Sequence, residues 1–337
     1  MPNHEELGFV TCRSGILIII DTGYLNIWSH DEIPMLPDGL LDSASAVEHA
    51  NSFVDLKIVG IDAEKAGRAL DMSWHPLMVY DQPPFHPEVK LKFDELVHRH
   101  QLSAELEVLN PRIPHRERVN LALQHGHGAG EVQFHGVWAS VVGSVPTSRA
   151  LKILGERMTG NDSDRRKRVR VQCNPGMKIE NSEMVGCVGV DYARLLISDV
   201  DSLGSWEHHK SLDGLADFVF WGRDANVVAK ALDAPALTQN EFGWRDISAD
   251  LAQTRGRSVE EYKERHDLRL ATDYRPHSHH WRVMGPTRNS PTESAVTDLD
   301  GVTVCNFMTT WGDGVFDVYR DLSESGELVQ IRIELEQ

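Results

Sequence analysis

The segment Asp273-Tyr-Arg-Pro-His-Ser-His-His-Trp281 holds the densest group of residues that could do chemistry. If this segment is extended, its side chains alternate between two faces, and His277 and His279 point the same way. Two neutral imidazoles on one face are good ligands for a divalent transition metal such as Zn or Fe, provided that further ligands come from elsewhere. The spacing therefore predicts a two-histidine edge of a metal site. The alternative is a polar loop in which the histidines and Arg275 form a structural hydrogen-bond network.

The missing ligands are expected at the end of the predicted strand over residues 194–199. Asp199 closes this strand, and Asp201 and His208 follow within a short loop. Carboxylates at the end of a strand, directed into the loops, commonly serve as acid–base groups or metal ligands. An aspartate in this position is also an ordinary turn former, which is the structural alternative.

These residues together favour a metal-dependent, hydrolase-like enzyme with its site in the second half of the chain. The metal would lower the pKa of a bound water far enough to supply a nucleophile near neutral pH. Asp201 or Asp313 would act as the base, and Arg275 would orient an anionic substrate group with its planar guanidinium. The expected metal ligands are His277, His279, His208 and Asp199.

A second class of function is compatible with the same chain. Trp28 and Trp206 lie in loops of similar sequence, and aromatic side chains supply much of the binding energy at interaction surfaces. The chain would then be a non-catalytic binding module for a small molecule or a protein. Convergence of His277, His279 and His208 on one point distinguishes the enzyme, because metal–nitrogen bonds are about 2 Å long. The sequence holds no serine-nucleophile elbow and no Gly-rich nucleotide motif.

The two tryptophan loops belong to a longer repeat. Residues 14–28 match residues 192–206: each has an apolar strand run, an Asp, a Trp seven residues on and a His two residues later. Residues 60–71 match residues 222–233 with six of twelve positions identical. Two blocks in the same order predict an internal duplication.

The predicted duplication sets the expected domain organisation. We assign residues 1–158 to the first half, residues 159–184 to a linker with a connecting strand, and residues 185–337 to the second half. Duplicated halves commonly pack about a pseudo-twofold axis, as the subunits of a symmetric dimer do.

Each half is predicted to be α+β, with largely antiparallel sheet and flanking helices. β-branched and aromatic runs flanked by Gly, Asp or Pro predict strands, and Asp ahead of an alanine-rich run predicts a helix start. The predicted strands span residues 16–21, 54–59, 76–80, 132–142, 194–199, 217–221, 303–310, 315–319 and 328–334. The predicted helices span residues 62–70, 87–100, 224–232 and 244–266.

The composition of the chain limits the classes of partner that it is expected to bind. The chain has 34 basic and 51 acidic residues, a net charge of −17, which disfavours nucleic acid because phosphate binding requires clustered Lys and Arg. The basic run at residues 165–168 is interpreted as a solvated linker. No run is long enough to cross a membrane, and the N-terminus lacks the features of a secretory signal. Because the four cysteines are scattered, we expect a cytoplasmic protein with reduced thiols. The sequence is compatible with a homo-oligomer.

The segment Phe307-Met-Thr-Thr-Trp-Gly-Asp-Gly-Val-Phe-Asp-Val-Tyr319, followed by Ser325-Gly-Glu-Leu-Val-Gln-Ile-Arg332, resembles the end of a bacterial domain family of unknown function. Members of that family end in a WGDG-aromatic-x-V-Y strand, a turn and a final strand. The likeness covers a small part of the chain. Because the family has no established activity, the resemblance implies an architecture and no site.

Overall fold

The structure is a computed structural model that describes residues 4–31, 55–70, 80–81, 87–108, 114–134 and 137–336. Its contacts divide the chain into two compact units: residues 1–204 together with 291–337, and residues 205–290. The described elements are α+β, and every described strand pair is antiparallel, as the sequence predicts.

The described elements fall into strands, α-helices and short 3-10 turns. In chain order the strands are β1 (His4–Val10), β2 (Leu17–Asp21), β3 (Asp55–Val59), β4 (Tyr80–Asp81), β5 (Glu105–Val108), β6 (Ala129–Phe134), β7 (Val137–Val142), β8 (Leu151–Arg157), β9 (Arg166–Gln172), β10 (Asn181–Val190), β11 (Arg194–Asp199), β12 (Leu215–Trp221), β13 (Glu241–Ser248), β14 (Ala271–Pro276), β15 (Ser294–Leu299), β16 (Val302–Met308), β17 (Gly314–Leu322) and β18 (Leu328–Glu334). The α-helices are α1 (Ala63–Leu70), α2 (Pro87–Arg99), α3 (His115–His125), α4 (Ala225–Ala231), α5 (Ala249–Arg265) and α6 (His279–Asn289). The 3-10 turns are Thr22–Ile27, Gly160–Asp162 and Ser202–Ser205. None of these helices has the length and apolar character that a membrane crossing needs.

The unit of residues 1–204 and 291–337 is built on two six-stranded sheets. Their strand orders are β1-β8-β9-β18-β17-β10 and β15-β16-β11-β2-β7-β6. Alternate residues of both sheets, such as Val169 and Val171 in β9 and Leu195 and Ile197 in β11, pack into one buried cluster. Since alternate side chains of a strand share a face, the two sheets pack face to face through this cluster.

The unit of residues 205–290 is a three-stranded sheet, ordered β13-β12-β14, with helices packed on it. α4 and α5 bury Val228 and Val259 against the strand residues Phe218 and Phe220. Gly256 on α5 permits this packing, because a Cβ there would lie 2.6 Å from the ring of Phe218.

Two predicted elements differ from the structure. The predicted helix over residues 244–266 is wrong in its first part, because residues up to Ser248 belong to strand β13. The helix begins at Ala249, where the Ser248 side chain accepts a hydrogen bond from the Leu251 amide. The predicted strand over residues 132–142 is a hairpin of β6 and β7. Residues 76–79 of another predicted strand lie outside the described residues.

The interpretation of residues 165–168 as a solvated linker is wrong for Arg166. This residue lies in β9 and its side chain is fully buried. Its guanidinium donates to Glu5 Oε1 and to the carbonyl oxygen of Met308, both at 2.6 Å. A buried guanidinium is stable only when its charge is paired in this way, so Arg166 is part of the sheet's interior.

Candidate functional site

The predicted pair of histidines does not share a strand face. β14 ends at Pro276, so His277 follows the strand and His279 is the first residue of α6. Ser278 lies between them as the N-cap, its hydroxyl accepting from the Trp281 amide at 3.4 Å. The prediction of a common face is therefore wrong, because the chain turns into a helix where an extended segment was expected.

His279 and His208 pack around Trp206. His279 Nδ1 accepts a hydrogen bond from the Glu207 amide at 3.0 Å, and its ring stacks on Trp206 with centroids 5.7 Å apart. His208 Nδ1 accepts from Trp206 Nε1 at 3.2 Å, and its ring centroid is 4.1 Å from that of His280. Both predicted ligands thus have structural partners around a buried indole, and the predicted convergence of these two histidines with His277 is wrong.

The predicted aspartates all lie in the unit that contains the two large sheets. Asp199 is buried and accepts four hydrogen bonds, from the amide and hydroxyl of Ser14 and from the amides of Asp201 and Ser202. The Asp201 carboxylate pairs with Arg116 Nε at 2.5 Å. Asp313 Oδ1 accepts from the Ala193 amide at 3.0 Å. These contacts give each carboxylate a structural role in its own unit.

Asp217, Asp246 and His277 come together instead. Within the described ranges, they are the one group of three or more His, Cys, Asp or Glu residues whose ligand atoms all lie within 4.8 Å of one another. Of the four predicted ligands, only His277 belongs to this group. All three residues lie in the unit of residues 205–290.

An irregularity in β13 brings the two aspartates together. The register of β12 against β13 shifts between Ala216 and Phe218, which leaves one extra residue on β13. Asp246 lies in this bulge with a φ of 52°, and its amide donates to Asp217 Oδ1 at 2.9 Å. A bulge re-aims side chains in this manner, and it often lies beside a functional site.

His277 is held in place by a third aspartate. Its Nδ1 lies 3.0 Å from Asp213 Oδ2, and its amide donates to the Leu215 carbonyl at 3.1 Å. Because an ionised carboxylate only accepts hydrogen bonds, Nδ1 carries the proton and donates it to Asp213. The other ring nitrogen, Nε2, lies 3.5 Å from Asp217 Oδ1 and 3.6 Å from Asp246 Oδ1.

These separations suit a metal ion. Two ligand atoms, each about 2.1 Å from a tetrahedral zinc, are roughly 3.4 Å apart. A carboxylate that orients a metal-binding histidine through its other ring nitrogen is the usual outer support of such sites. The same arrangement also suits a protonated His277 that forms ion pairs with the carboxylates.

The cluster shifts the pKa values of its members in opposite directions. Partial burial disfavours a charged His277, but the hydrogen bond to Asp213 and the charges of Asp213 and Asp217 outweigh it and raise the pKa of His277. Burial likewise acts to raise the pKa of Asp213. The hydrogen bonds from the Leu215 amide, His277 and Ser211 outweigh burial and lower this pKa to about 2.

The cluster opens into a cleft of about 610 Å³. The lining residues are Asp217, Thr238, Glu241, Arg245, Asp246, Arg275, His277, Trp281, Arg282, Gly285, Arg288 and Asn289. This volume is in the range of small-molecule sites. Four arginines line the cleft of a chain whose net charge is −17, so positive charge is locally concentrated there.

The four arginines differ in their partners. Arg275 Nε donates to Asp273 at 2.8 Å, and its guanidinium lies 5.4 Å from the centre of the Trp281 ring. Arg282 donates to Asp213 at 3.3 Å. Arg245 and Arg288 are exposed and form no ion pair with any residue that the structure describes. Arg275 is thus the one predicted catalytic residue that lines the cleft.

Sequence reasoning missed Asp213, Asp217 and Asp246. Asp213 and Asp217 flank the start of a predicted strand, which is a weak signal because turns are commonly rich in Asp. Asp246 lies inside a stretch predicted as helix, so its position beside Asp217 had no signal at all. The site could not be predicted from the sequence, because it depends on the pairing of β12 with β13.

No protein-family model, no curated protein and no solved structure matches the chain, so the geometry of the site carries the functional argument.

Proposed function

We propose that this protein is a metal-dependent enzyme, hydrolase-like in its chemistry, with its site in the second half of the chain. Asp217, Asp246 and His277 would bind a divalent transition metal, for which a mixed nitrogen and oxygen ligand set suits Zn or Fe. The observation that supports this most is the convergence of three ligand atoms within 4.8 Å in an arginine-lined cleft.

The remaining residues have roles that follow from their positions. Asp213 would orient His277 and increase the basicity of its Nε2. Three protein ligands leave a coordination position for water, and the metal would lower the pKa of that water toward neutrality. Glu241, the acidic lining residue outside the ligand set, would accept the water's proton. Arg275, 4.0 Å from Glu241, would orient the substrate.

The proposal is tested by titrating the metal-free protein with Zn²⁺ in a calorimeter and measuring bound metal by elemental analysis. The wild type should bind one equivalent, and His277→Ala and Asp217→Asn should lose it. His266→Ala is a matched control, because His266 is exposed in the same unit and its ring contacts only Tyr262 among the described aromatic contacts. Stoichiometric binding by both site variants would refute the proposal.

Variants of the ligands predicted from the sequence distinguish that ligand set from the one proposed here. His208→Ala and His279→Ala should keep stoichiometric metal, because these rings pack around Trp206. Loss of metal in either variant, with the fold intact by circular dichroism, would favour the original ligand set.

The alternative function, a non-catalytic binding module using the tryptophan loops, has less support. Trp206 is 9% exposed and stacks on His279. A recognition anchor must offer its ring to a partner, and this ring is already covered.

We also propose that the chain is an internal duplication. The element order from β1 to β9, apart from the Gly160–Asp162 turn, recurs from β10 to β18, with helices α1–α3 at the places of α4–α6. If β10 to β18 are treated as the equivalents of β1 to β9, each large sheet has the same strand order counted from either edge. At the middle of one sheet, Ile19 of β2 lies opposite Ile197 of β11, as a local twofold axis requires.

Matching side-chain contacts support the same proposal. His115 Nδ1 accepts from the Ser29 amide at 2.9 Å, as His279 Nδ1 does from the Glu207 amide at 3.0 Å. Ring centroids of His115 and Trp28 are 5.8 Å apart, close to the 5.7 Å of the second pair. The element order favours a joint between β9 and β10; the boundaries at residues 158 and 184 stay a prediction.

Several further expectations also stay proposals. All four cysteines are free thiols, which is compatible with a reducing cytoplasm. The acidic composition supports a function without nucleic acid. The resemblance of residues 307–332 to the bacterial family is compatible with the strand, turn and strand formed by β17 and β18.

A further inference from the structure

We infer that the substrate of this cleft carries a phosphate group, which Arg245 and Arg288 clamp beside the proposed metal. The inference rests on the proposed function for the metal and adds the chemical class of the substrate. Its first support is the charge of the lining. The cleft has four arginines against the acidic residues Asp217, Glu241 and Asp246.

The arginines that hold the anion are the two that form no ion pair with a described residue. Arg275 and Arg282 are engaged with Asp273 and Asp213. Arg245 and Arg288 are not ion-paired to any described residue, so their full charge is available to a ligand. With a divalent metal in place, the charge of the metal and of these two arginines exceeds that of the three lining carboxylates, which favours an anionic ligand.

The helix α6 leaves room for such a ligand. Trp281, Gly285 and Arg288 are spaced by four and three residues, which places them on one face of the helix. A Cβ at Gly285 would meet no atom within 4 Å, so there is open space beside the middle of this face. The cleft volume of about 610 Å³ exceeds that of a phosphate alone and admits an attached organic group.

A phosphate fits the arrangement better than a carboxylate. A phosphate monoester is close to a dianion at neutral pH and has three terminal oxygens. One oxygen can bind the metal while the others accept paired hydrogen bonds from the planar guanidinium groups. A carboxylate has one charge and two oxygens, so it offers a metal and two arginines less charge and fewer acceptor atoms than a phosphate does.

The reaction that this geometry supports is hydrolysis of a phosphomonoester. Glu241 would accept a proton from the attacking water, and the water's oxygen would form a new bond to phosphorus. The ester P–O bond breaks, and the leaving oxygen takes that proton. The products are inorganic phosphate and an alcohol, so no oxidant or further reactant is needed.

The binding test uses inorganic phosphate as the probe, titrated into the full-length protein with and without Zn²⁺, and acetate as the second anion. Phosphate should bind the wild type at least tenfold more tightly than acetate. The double variant Arg245→Ala/Arg288→Ala should lose at least tenfold in phosphate affinity. Arg265→Ala, an exposed arginine of α5 outside the cleft, is the matched control and should bind as the wild type does.

A kinetic test follows hydrolysis of p-nitrophenyl phosphate and p-nitrophenyl acetate by the zinc-loaded protein. The double arginine variant should raise KM for the phosphate ester more than it lowers kcat, since the clamp binds the ground state and the transition state alike. Arg265→Ala should leave both constants unchanged.

The outcomes separate the two proposals. If Zn²⁺ binds through His277 but phosphate binds no better than acetate, the phosphate inference is wrong and the metal site stands. If Zn²⁺ does not bind, the proposed function is wrong; arginine-dependent phosphate binding to the metal-free protein then still supports the anion clamp. Equal phosphate affinity of the wild type and the double variant overturns the clamp in either case.

Discussion

His277 and Asp213 form a pair in which each charge depends on the other. The 3.0 Å hydrogen bond between Nδ1 and Oδ2 determines the tautomer of His277 and directs Nε2 toward Asp217 and Asp246. Asp213 also accepts from the Leu215 amide and from Arg282. This one carboxylate therefore connects the ring, the start of β12 and helix α6.

We predict that Asp213→Asn lowers the pKa of His277, because it removes the hydrogen bond and the negative charge that raise it. Metal affinity should fall about 10- to 100-fold, as when other outer-shell carboxylates are lost. The pKa is measured from the ring proton shifts of His277 by NMR, and the affinity by calorimetry. Asp250→Asn, on the first turn of α5, is the control. An unchanged pKa in Asp213→Asn would show that the pair is not coupled.

The same pair predicts how stability depends on pH in the metal-free protein. The pKa of His277 is raised above 6.5 on folding, so its contribution is complete below pH 6.5 and disappears as the pH rises through the folded-state value. The pKa of Asp213 falls from 3.8 to about 2, so its contribution is present above pH 3.8 and is lost as the pH falls toward 2.

Denaturant unfolding of the wild type and His277→Gln measures this dependence. The stability advantage of the wild type should be larger at about pH 5.5 than at about pH 8.5. An advantage that grows toward alkaline pH would contradict the assigned direction of the shift.

At the scale of elements, the site depends on two departures from regular structure. The bulge in β13 turns Asp246 toward Asp217, and the end of β14 at Pro276 releases His277 from the sheet. Ser278 then starts α6, the helix that carries Trp281 and Arg288 into the cleft. The N-cap of α6 is therefore part of the support of the site.

We predict that Ser278→Ala lowers the free energy of unfolding by about 0.5–2 kcal/mol, because a helix loses its N-cap. Ser248→Ala removes the equivalent hydrogen bond from α5 and should cost a similar amount. Metal affinity should fall only in Ser278→Ala, since α6 supplies Arg282 to Asp213. Urea unfolding and zinc titration measure both effects. Equal loss of zinc affinity in the two variants would mean that the cap acts only through global stability.

At the scale of the whole molecule, buried aspartates close the central strands of one large sheet. Asp21 at the end of β2 accepts from the amides of Gly23, Asp191 and Tyr192. Asp199 at the end of β11 accepts hydrogen bonds from the amide and the hydroxyl of Ser14. Each aspartate thus binds the chain just before the other strand begins, which is the relation that a duplicated fold would repeat.

We predict that Asp199→Ala lowers the free energy of unfolding by roughly 2–4 kcal/mol, because buried donors lose their acceptor. Asp21→Ala should cost a comparable amount. Zinc stoichiometry should be unchanged in both, since the hydrogen-bond donors to Asp199 lie outside residues 205–290. Loss of metal in a folded Asp199→Ala protein would restore Asp199 as a ligand.

Part of the element order was predictable from the sequence alone, but strands β1, β8, β10 and β15 and helices α3 and α6 were not predicted. β11 and β18 were predicted with the bounds that the structure has, because alternating or continuous apolar runs between turn residues identify buried strands. The matching blocks at residues 14–28 and 192–206 predict that β2 and β11 are duplicates of each other, which stays a prediction. The local sequence pattern is sufficient to predict such strands, because a buried strand face requires an apolar residue at every second position.

The site needed the tertiary structure. His277 was identified because three histidines lie between residues 277 and 280, yet its true neighbours lie far away in sequence. Asp246 is 29 residues from Asp217, and the two meet only through the pairing of β12 with β13 and a bulge in that pair. The segment from Asp273 to Trp281 shows what the sequence could and could not predict. Its composition indicated a functional site. Whether its histidines shared a face depended on Ser278, where the extended chain ends and a helix begins.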